Sequence, residues 1–259
     1  MTAAPKVVIL AGGRGSRLTE ETDTKPKPMV EIGDYPIIWH IMKIYSHFGF
    51  NEFIICAGYK GYIIKEYFAN YRIHMSDATF DLEKHETIFH SGKAEPWKVT
   101  VVDTGAETMT GGRILRVRQY LGETDFLLTY GDGLANIDVR AVLDAHRKAN
   151  RLATVTAVRT PGRFGALELA GDRVKSFLEK LPGHGSWING GFFVMNHRIF
   201  DYITDDATVL ELEPLSKLAS NGQLTAYIHD GYWQAMDTLR DRRQLEELWA
   251  SGRAPWKIW

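Results

Sequence analysis

The chain has 259 residues, 44% of them hydrophobic, which suits one α/β domain with a sizeable core and argues against disorder. Its 31 basic and 32 acidic side chains leave no basic excess for non-specific nucleic-acid binding, so any anionic phosphate must be met by local clusters of Lys and Arg. No run is long and apolar enough to cross a bilayer.

Lys6–Leu10 reads as a buried strand, because an unbroken aliphatic run is typical of parallel strands covered on both faces. A glycine-rich loop follows, then a helix over Pro36–Phe48, where apolar residues recur near helical spacing and Gly49 supplies a stop. Glu52–Ala57 is a second strand and Tyr62–Tyr71 a second helix. This rhythm indicates βαβ units and a mostly parallel sheet, so a three-layer α/β/α, Rossmann-like arrangement is expected. Ile73–Trp97 reads as an excursion from that sheet, built of hairpins. Its His74, His85 and His90 match no common metal-ligand spacing.

Further strands are expected at Val99–Val102, Phe126–Thr129, Ala153–Val158, Val174–Phe177, Phe192–Met195 and Thr225–Ile228. Helices are expected at Gly112–Tyr120, Val139–Ala149, Val209–Ser220 and Asp241–Ala250. With no linker or repeat, residues 1–259 read as a single unit. The one cysteine, Cys56, sits in an apolar run and reads as a buried core thiol. Residues 1–6 lack the pattern of a secretory signal, and both readings fit a reducing, cytoplasmic setting.

The most informative segment is the opening one. Val7–Leu18 reads VVILAGGRGSRL, a strand delivering the chain to Gly12, Gly13 and Gly15. Glycine lets backbone N–H groups approach phosphate oxygens closely, and Arg14 and Arg17 add charge beside them. The P-loop spacing is absent. The dinucleotide fingerprint fails because Leu18 stands where its third glycine belongs, which also argues against a NAD-dependent oxidoreductase. Lys25-Pro26-Lys27-Pro28 follows. Two prolines at that spacing prevent a long helix, so the loop curls back and carries Lys25 and Lys27 toward the glycines. Asp132, in TYGDG, follows a strand at the end where open α/β sheets place ligands. A carboxylate there can hold Mg²⁺, and a plain turn stabilised by glycines is the competing reading.

LAGGRGSRLTEETDTKPKPMVEIG (10–33) resembles the signature of sugar-phosphate nucleotidyltransferases, whose sheet is of the glycosyltransferase-A-like type. TYGDG, PGRFGAL (161–167), INGGFFV (188–194), GYWQAMDTLRD (231–241) and LWASGRAPWKIW (248–259) extend the likeness across nearly the whole chain. They narrow it to the glucose-1-phosphate cytidylyltransferases.

The resemblance implies that CTP and a sugar 1-phosphate, α-D-glucose 1-phosphate, are the substrates. It implies a nucleotide site at Leu10, Ala11, Gly12, Gly13, Gly15, Ser16, Arg17, Lys25, Thr104, Thr110, Gly111, Arg113 and Asp132. It implies a sugar-phosphate site at Gly165, Glu179, Lys180, Asn189 and Gly190, and Mg²⁺ held by Asp132 and Asp237. Lys25 is expected to stabilise charge on the α-phosphate, Arg17 to hold the leaving pyrophosphate, and Arg113 to touch phosphate. The pattern departs from the family at Leu181, inserted in EKLP, and at Ala235, where proline is usual. A homo-oligomer is implied, a hexamer being one candidate, with no nucleic-acid or membrane partner. The alternatives are the same fold acting on another sugar or polyol phosphate, on UTP or on dTTP, and a metal-dependent glycosyltransferase. The last usually carries Asp-x-Asp, whereas Asp132 precedes Gly133 and Leu134.

Overall fold

The computed structural model describes residues 4–15, 18–92, 94–159, 166–170, 173–178 and 187–259. Seven strands form one mixed sheet in the order Leu224–His229, Ala153–Arg159, Trp187–Met195, Phe126–Tyr130, Val7–Ala11, Glu52–Ala57 and Lys98–Asp103. Among the described residues, only Trp187–Met195 runs antiparallel to its neighbours in this sheet; the other pairings are parallel. Val7–Ala11 lies between two parallel partners and is buried throughout, as its aliphatic run requires. Its side chains alternate between the two faces. Val7 and Ile9 join one core with Phe53, Ile55 and Tyr45, while Val8 and Leu10 join another with Ile54, Cys56 and Phe193. Cys56 is fully buried, and burial pushes its thiol up to about 12.

The excursion contains a hairpin, Ser76–Asp81 paired with Glu86–Gly92, on which Phe80, Leu82 and Ile88 stand exposed. Several element bounds differ from those expected. The helix expected at Gly112–Tyr120 runs Thr110–Val117 and tightens into a 3₁₀ turn at Arg118–Tyr120. Its first turn takes two glycines because the 205–208 loop crosses it; a Cβ at Gly112 would lie 2.5 Å from the Cα of Asp206. Pro214 stands in the first turn of Glu213–Ser220, so that helix starts four residues later than Val209. The last helix, Leu239–Ala250, starts two residues earlier than Asp241, behind a capping box of Thr238 and Asp241. The strand expected at Phe192–Met195 runs Trp187–Met195, five residues longer at its start, and takes in Asn189-Gly190-Gly191. Gly191 is left-handed there, with a φ of +81°, and packs against the Tyr130 ring. No described helix is long and apolar enough to cross a membrane.

The tail folds back on the helix Ile37–His47. Trp256 is fully buried and its Nε1 donates to His40 Nδ1 at 3.4 Å, while His40 Nε2 donates to Ile32 O at 2.9 Å. Both ring nitrogens are therefore committed in the neutral form. Burial, with a smaller push from Lys257, holds His40 down at about 4, against hydrogen bonds to Ile32 and Tyr35 that raise it. The unfolded chain takes up this proton near 6.5 and the folded chain only near 4, so the contribution of His40 to stability is complete above pH 6.5 and is lost as pH drops through that window. The imidazole is expected to stay neutral at pH 5 in a ¹³C-histidine NMR titration. Protonation near 6.5 in the folded protein would refute the burial argument.

Candidate active site

A cleft of about 650 Å³ opens at the carboxyl ends of Val7–Ala11 and Phe126–Tyr130, where open α/β sheets place their ligands. The loop Gly12–Gly15 forms one wall and Ala106–Thr110 lies beside it. Asn189, Gly190 and Trp233 form the opposite end.

Three chain segments converge at its floor. Pro26 enters in an extended conformation, and a 3₁₀ turn, Lys27–Met29, follows with Pro28 buried in it. Gly131 stacks on that turn: its N–H donates to Leu10 O at 3.0 Å, and a Cβ there would sit 2.9 Å from Pro28 Cγ. The next residue, Asp132, is thereby set against Lys27. A short ribbon then pairs Gly133–Ala135 with Trp233–Ala235, and Met236 N–H donates to Asp132 O at 2.9 Å. This ribbon brings Asp237 beside Asp132. Asp237 N–H donates to Asp241 Oδ2 at 3.1 Å, so the cap of the last helix fixes its backbone.

The result is a three-membered charge cluster. Lys27 Nζ lies 2.6 Å from Asp132 Oδ2 and 2.8 Å from Asp237 Oδ1, with 12% of its side chain exposed. Burial alone would lower the Lys27 ammonium; the two carboxylates outweigh it and hold it above its ordinary value. Lys27 is therefore charged at neutral pH. The two carboxylates approach one point from 105 residues apart, and among the described residues no third His, Cys, Asp or Glu completes a metal cage. A pair of carboxylates fits the donor set of Mg²⁺, which completes its octahedron with phosphate oxygens and water.

Lys25 is not brought into this cluster. Its Nζ lies 3.3 Å from Glu31, which is 55% exposed, and it does not line the cleft. Pro26 separates the two lysines and turns them apart. Lys27, which the curl of the loop was expected to carry toward the glycines but to which no role was given, is the lysine that reaches the cluster; its signal was its position between two prolines, two residues ahead of the buried Met29.

Arg113 lines the cleft but is occupied. Its guanidinium donates to Gly105 O at 2.7 Å, Thr104 Oγ1 at 2.8 Å, Gly12 O at 3.1 Å, Ala106 O at 3.3 Å and Ala57 O at 3.4 Å. It is 5% exposed, and burial draws it below its ordinary pKa. It braces the glycine loop to the 104–106 loop, where a phosphate contact was expected. Gly12 and Gly58 make room for it: a Cβ on either would meet the guanidinium. Thr104 is fully buried, donates to Ala57 O at 2.7 Å and stays out of the cleft. Gly111 packs on Thr208, also away from the cleft. Of the residues expected at the nucleotide, Leu10, Ala11, Gly12, Gly13, Gly15 and Thr110 line the cleft, as do Asn189 and Gly190, expected at the sugar phosphate. Ser16, Arg17, Gly165, Glu179 and Lys180 lie outside the described residues. Arg14 pairs with Glu107 at 2.6 Å across the two loops, both side chains largely exposed.

Three comparisons bear on identity. The family model described as Nucleotidyl transferase matches residues 6–242. The chain is 57% identical over 255 residues to the glucose-1-phosphate cytidylyltransferase of Salmonella typhimurium, covering 98% of this chain and 99% of that protein. It is 45% identical over 255 residues to a probable glucose-1-phosphate cytidylyltransferase of Bacillus subtilis, covering 98% and 100%. Among solved structures, HddC from Yersinia pseudotuberculosis superposes with a TM-score of 0.69 at 25% identity, covering 95% of this chain and 100% of that one. A UDP-glucose pyrophosphorylase complexed with UDP-glucose shares the fold at a TM-score of 0.69 and 18% identity, covering 97% and 100%. With a glycine-loop cleft at the sheet's carboxyl edge and this identity along almost all of both chains, the chain belongs to the nucleotidyl transferase family, in its glucose-1-phosphate cytidylyltransferase branch.

Proposed function

We propose that this chain transfers the cytidylyl group of CTP to α-D-glucose 1-phosphate, giving CDP-glucose and pyrophosphate. What carries the reading is the charged Lys27 set between Asp132 and Asp237 at the floor of a glycine-walled cleft. The 57% identity to a cytidylyltransferase supplies the nucleotide and the sugar. A phosphate oxygen of the sugar phosphate forms a bond to the α-phosphorus as the bond from that phosphorus to the pyrophosphate oxygen breaks. The nucleophile is already anionic, so no side chain has to remove a proton.

The physical task is to bring two anions together, which positioning and fixed positive charge accomplish. The N–H groups of the Gly12–Gly15 loop face the triphosphate. Lys27 donates to an α-phosphate oxygen, in the role expected of Lys25. Asp132 and Asp237 are the residues that would hold Mg²⁺, which supplies charge neutralisation at the phosphates when bound. The resemblance adds Arg17 at the leaving pyrophosphate, with Glu179 and Lys180 at the sugar and its phosphate. Asn189 and Gly190 end the cleft on that side. The same reading makes the enzyme cytoplasmic and homo-oligomeric, the resemblance carrying the assembly.

Pyrophosphate release measured over CTP, UTP and dTTP against several sugar 1-phosphates, with Mg²⁺, is expected to favour CTP with glucose 1-phosphate. The margin in kcat/KM should be about 10²-fold, the scale of one base-edge pairing worth about 1–3 kcal/mol. Equal rates with UTP or dTTP would reassign the nucleotide, and release from no pair would remove the enzymatic reading.

A further inference from the structure

One side chain belonging to neither expected site joins the two ends of the cleft. Glu211 lies in the irregular stretch before the helix Glu213–Ser220 and accepts two hydrogen bonds. Thr110 Oγ1 donates to its Oε2 at 2.6 Å, and the Tyr130 hydroxyl donates to its Oε1 at 2.5 Å. Thr110 is the first residue of its helix and lines the nucleotide side, while its oxygen accepts from Leu210 N–H at 2.9 Å. Tyr130 ends the central strand. Its oxygen accepts from Asn189 Nδ2 at 3.1 Å, and Asn189 Oδ1 accepts from Gly191 N–H at 2.8 Å.

The direction of every bond in this chain is fixed. An ionised carboxylate only accepts, so both hydroxyls must turn their protons toward it. With its proton committed, Tyr130 can only accept from Asn189, which sets the Asn189 amide with nitrogen toward Tyr130 and oxygen toward Gly191. Among the described residues the other Asn189 N–H has no partner, which leaves it for a ligand. The Tyr130 ring itself packs on Gly191, where a Cβ would fall 2.6 Å from Cδ2.

We infer that Glu211 is a positioning residue that couples the two substrate sites, orienting Thr110 at the nucleotide end and Asn189 at the sugar-phosphate end through one hydrogen-bonded chain. This rests on the function proposed above. Ordering either end orders the shared carboxylate, so the second ligand meets a partner already set. Coupling of this kind is reciprocal: each ligand tightens the other by the same factor.

Calorimetry tests this without turnover, using glucose 1-phosphate and α,β-methylene CTP, which cannot release pyrophosphate. In the wild type each ligand should tighten the other about 5-fold or more. Glu211→Ala should bring that factor to about 1 and weaken each ligand alone about 10-fold, the scale of losing a hydrogen bond to a charged group. Glu211→Gln should restore most of the coupling. Its oxygen still accepts from Tyr130 and its amide can donate to Thr110, so the chain persists with one bond reversed. A passive structural role would cost thermal stability without removing the coupling.

Should Glu211→Ala fail to fold, Tyr130→Phe cuts the same chain while keeping the ring on Gly191. It should abolish coupling yet leave the affinity for the CTP analogue within about threefold, because the Thr110–Glu211 bond survives. Coupling unchanged in either folded variant, or absent from the wild type, overturns the inference and leaves the proposed function standing. A wild type that binds neither ligand overturns both.

Discussion

Lys27→Met is expected to lower kcat by about 10²-fold or more, the scale for losing one preorganised charge contact, while Lys25→Ala leaves kcat within about threefold. The two lysines are separated by a single proline, and their surroundings decide between them. Lys27 is 12% exposed, lies within 2.8 Å of two carboxylates and is held in the charged form. Lys25 pairs with an exposed Glu31 at 3.3 Å. An exposed pair of that kind contributes about 0–1 kcal/mol, too little to move a barrier far. Methionine at position 27 keeps the length of the side chain, so the loss reports the charge rather than a cavity. The check is steady-state kinetics of both variants with CTP and glucose 1-phosphate, together with their thermal midpoints. A Lys27→Met enzyme within threefold of wild type, beside a Lys25→Ala enzyme reduced by two orders, would return the role to Lys25.

That reversal of emphasis marks where the sequence stops being legible. Strand positions were readable because unbroken aliphatic runs such as Val7–Leu10 have few other fates, and the sheet places them centrally. Asp132 was readable as a candidate because a glycine-flanked carboxylate after a strand is a local pattern. The distinction between Lys25 and Lys27 depends on a 3₁₀ turn starting at the second of them, and that turn is set by Pro28 packing beneath Gly131, about a hundred residues away. Asp237 is unremarkable in its own segment and gains its place from the ribbon that pairs Gly133–Ala135 with Trp233–Ala235. Glu211 carries no signal, because both its partners are distant in sequence and its spacing reads as part of a helix that in fact begins two residues after it. Composition and spacing reveal which residues can do the chemistry. Long-range pairings select the ones that meet.

The same principle governs Arg113, whose residue type invited a phosphate-binding role and whose neighbours give it another. Arg113→Lys is expected to destabilise the protein by about 3 kcal/mol, lowering the thermal midpoint by roughly 6–12 °C, and to raise the KM for CTP about 10-fold or more. Five acceptors on three segments surround the guanidinium: Ala57 and Gly12 on one side, Thr104, Gly105 and Ala106 on the other. Lysine keeps the positive charge but presents it at one point with three donors, which cannot span a planar fork of acceptors. Several carbonyls then lose their donor inside the protein, each at a cost of about 1–3 kcal/mol where water cannot replace it. A direct phosphate contact would give the opposite pattern, with lysine preserving part of the CTP affinity and the midpoint unmoved. Gly12→Ala separates the two readings independently, since it leaves every charge in place and forces its Cβ into the Arg113 guanidinium. It should reproduce both the lost stability and the raised KM, because the wall of the cleft and the brace behind it are one construction. An Arg113→Lys protein within about 2 °C of the wild-type midpoint would restore the phosphate-contact role to Arg113.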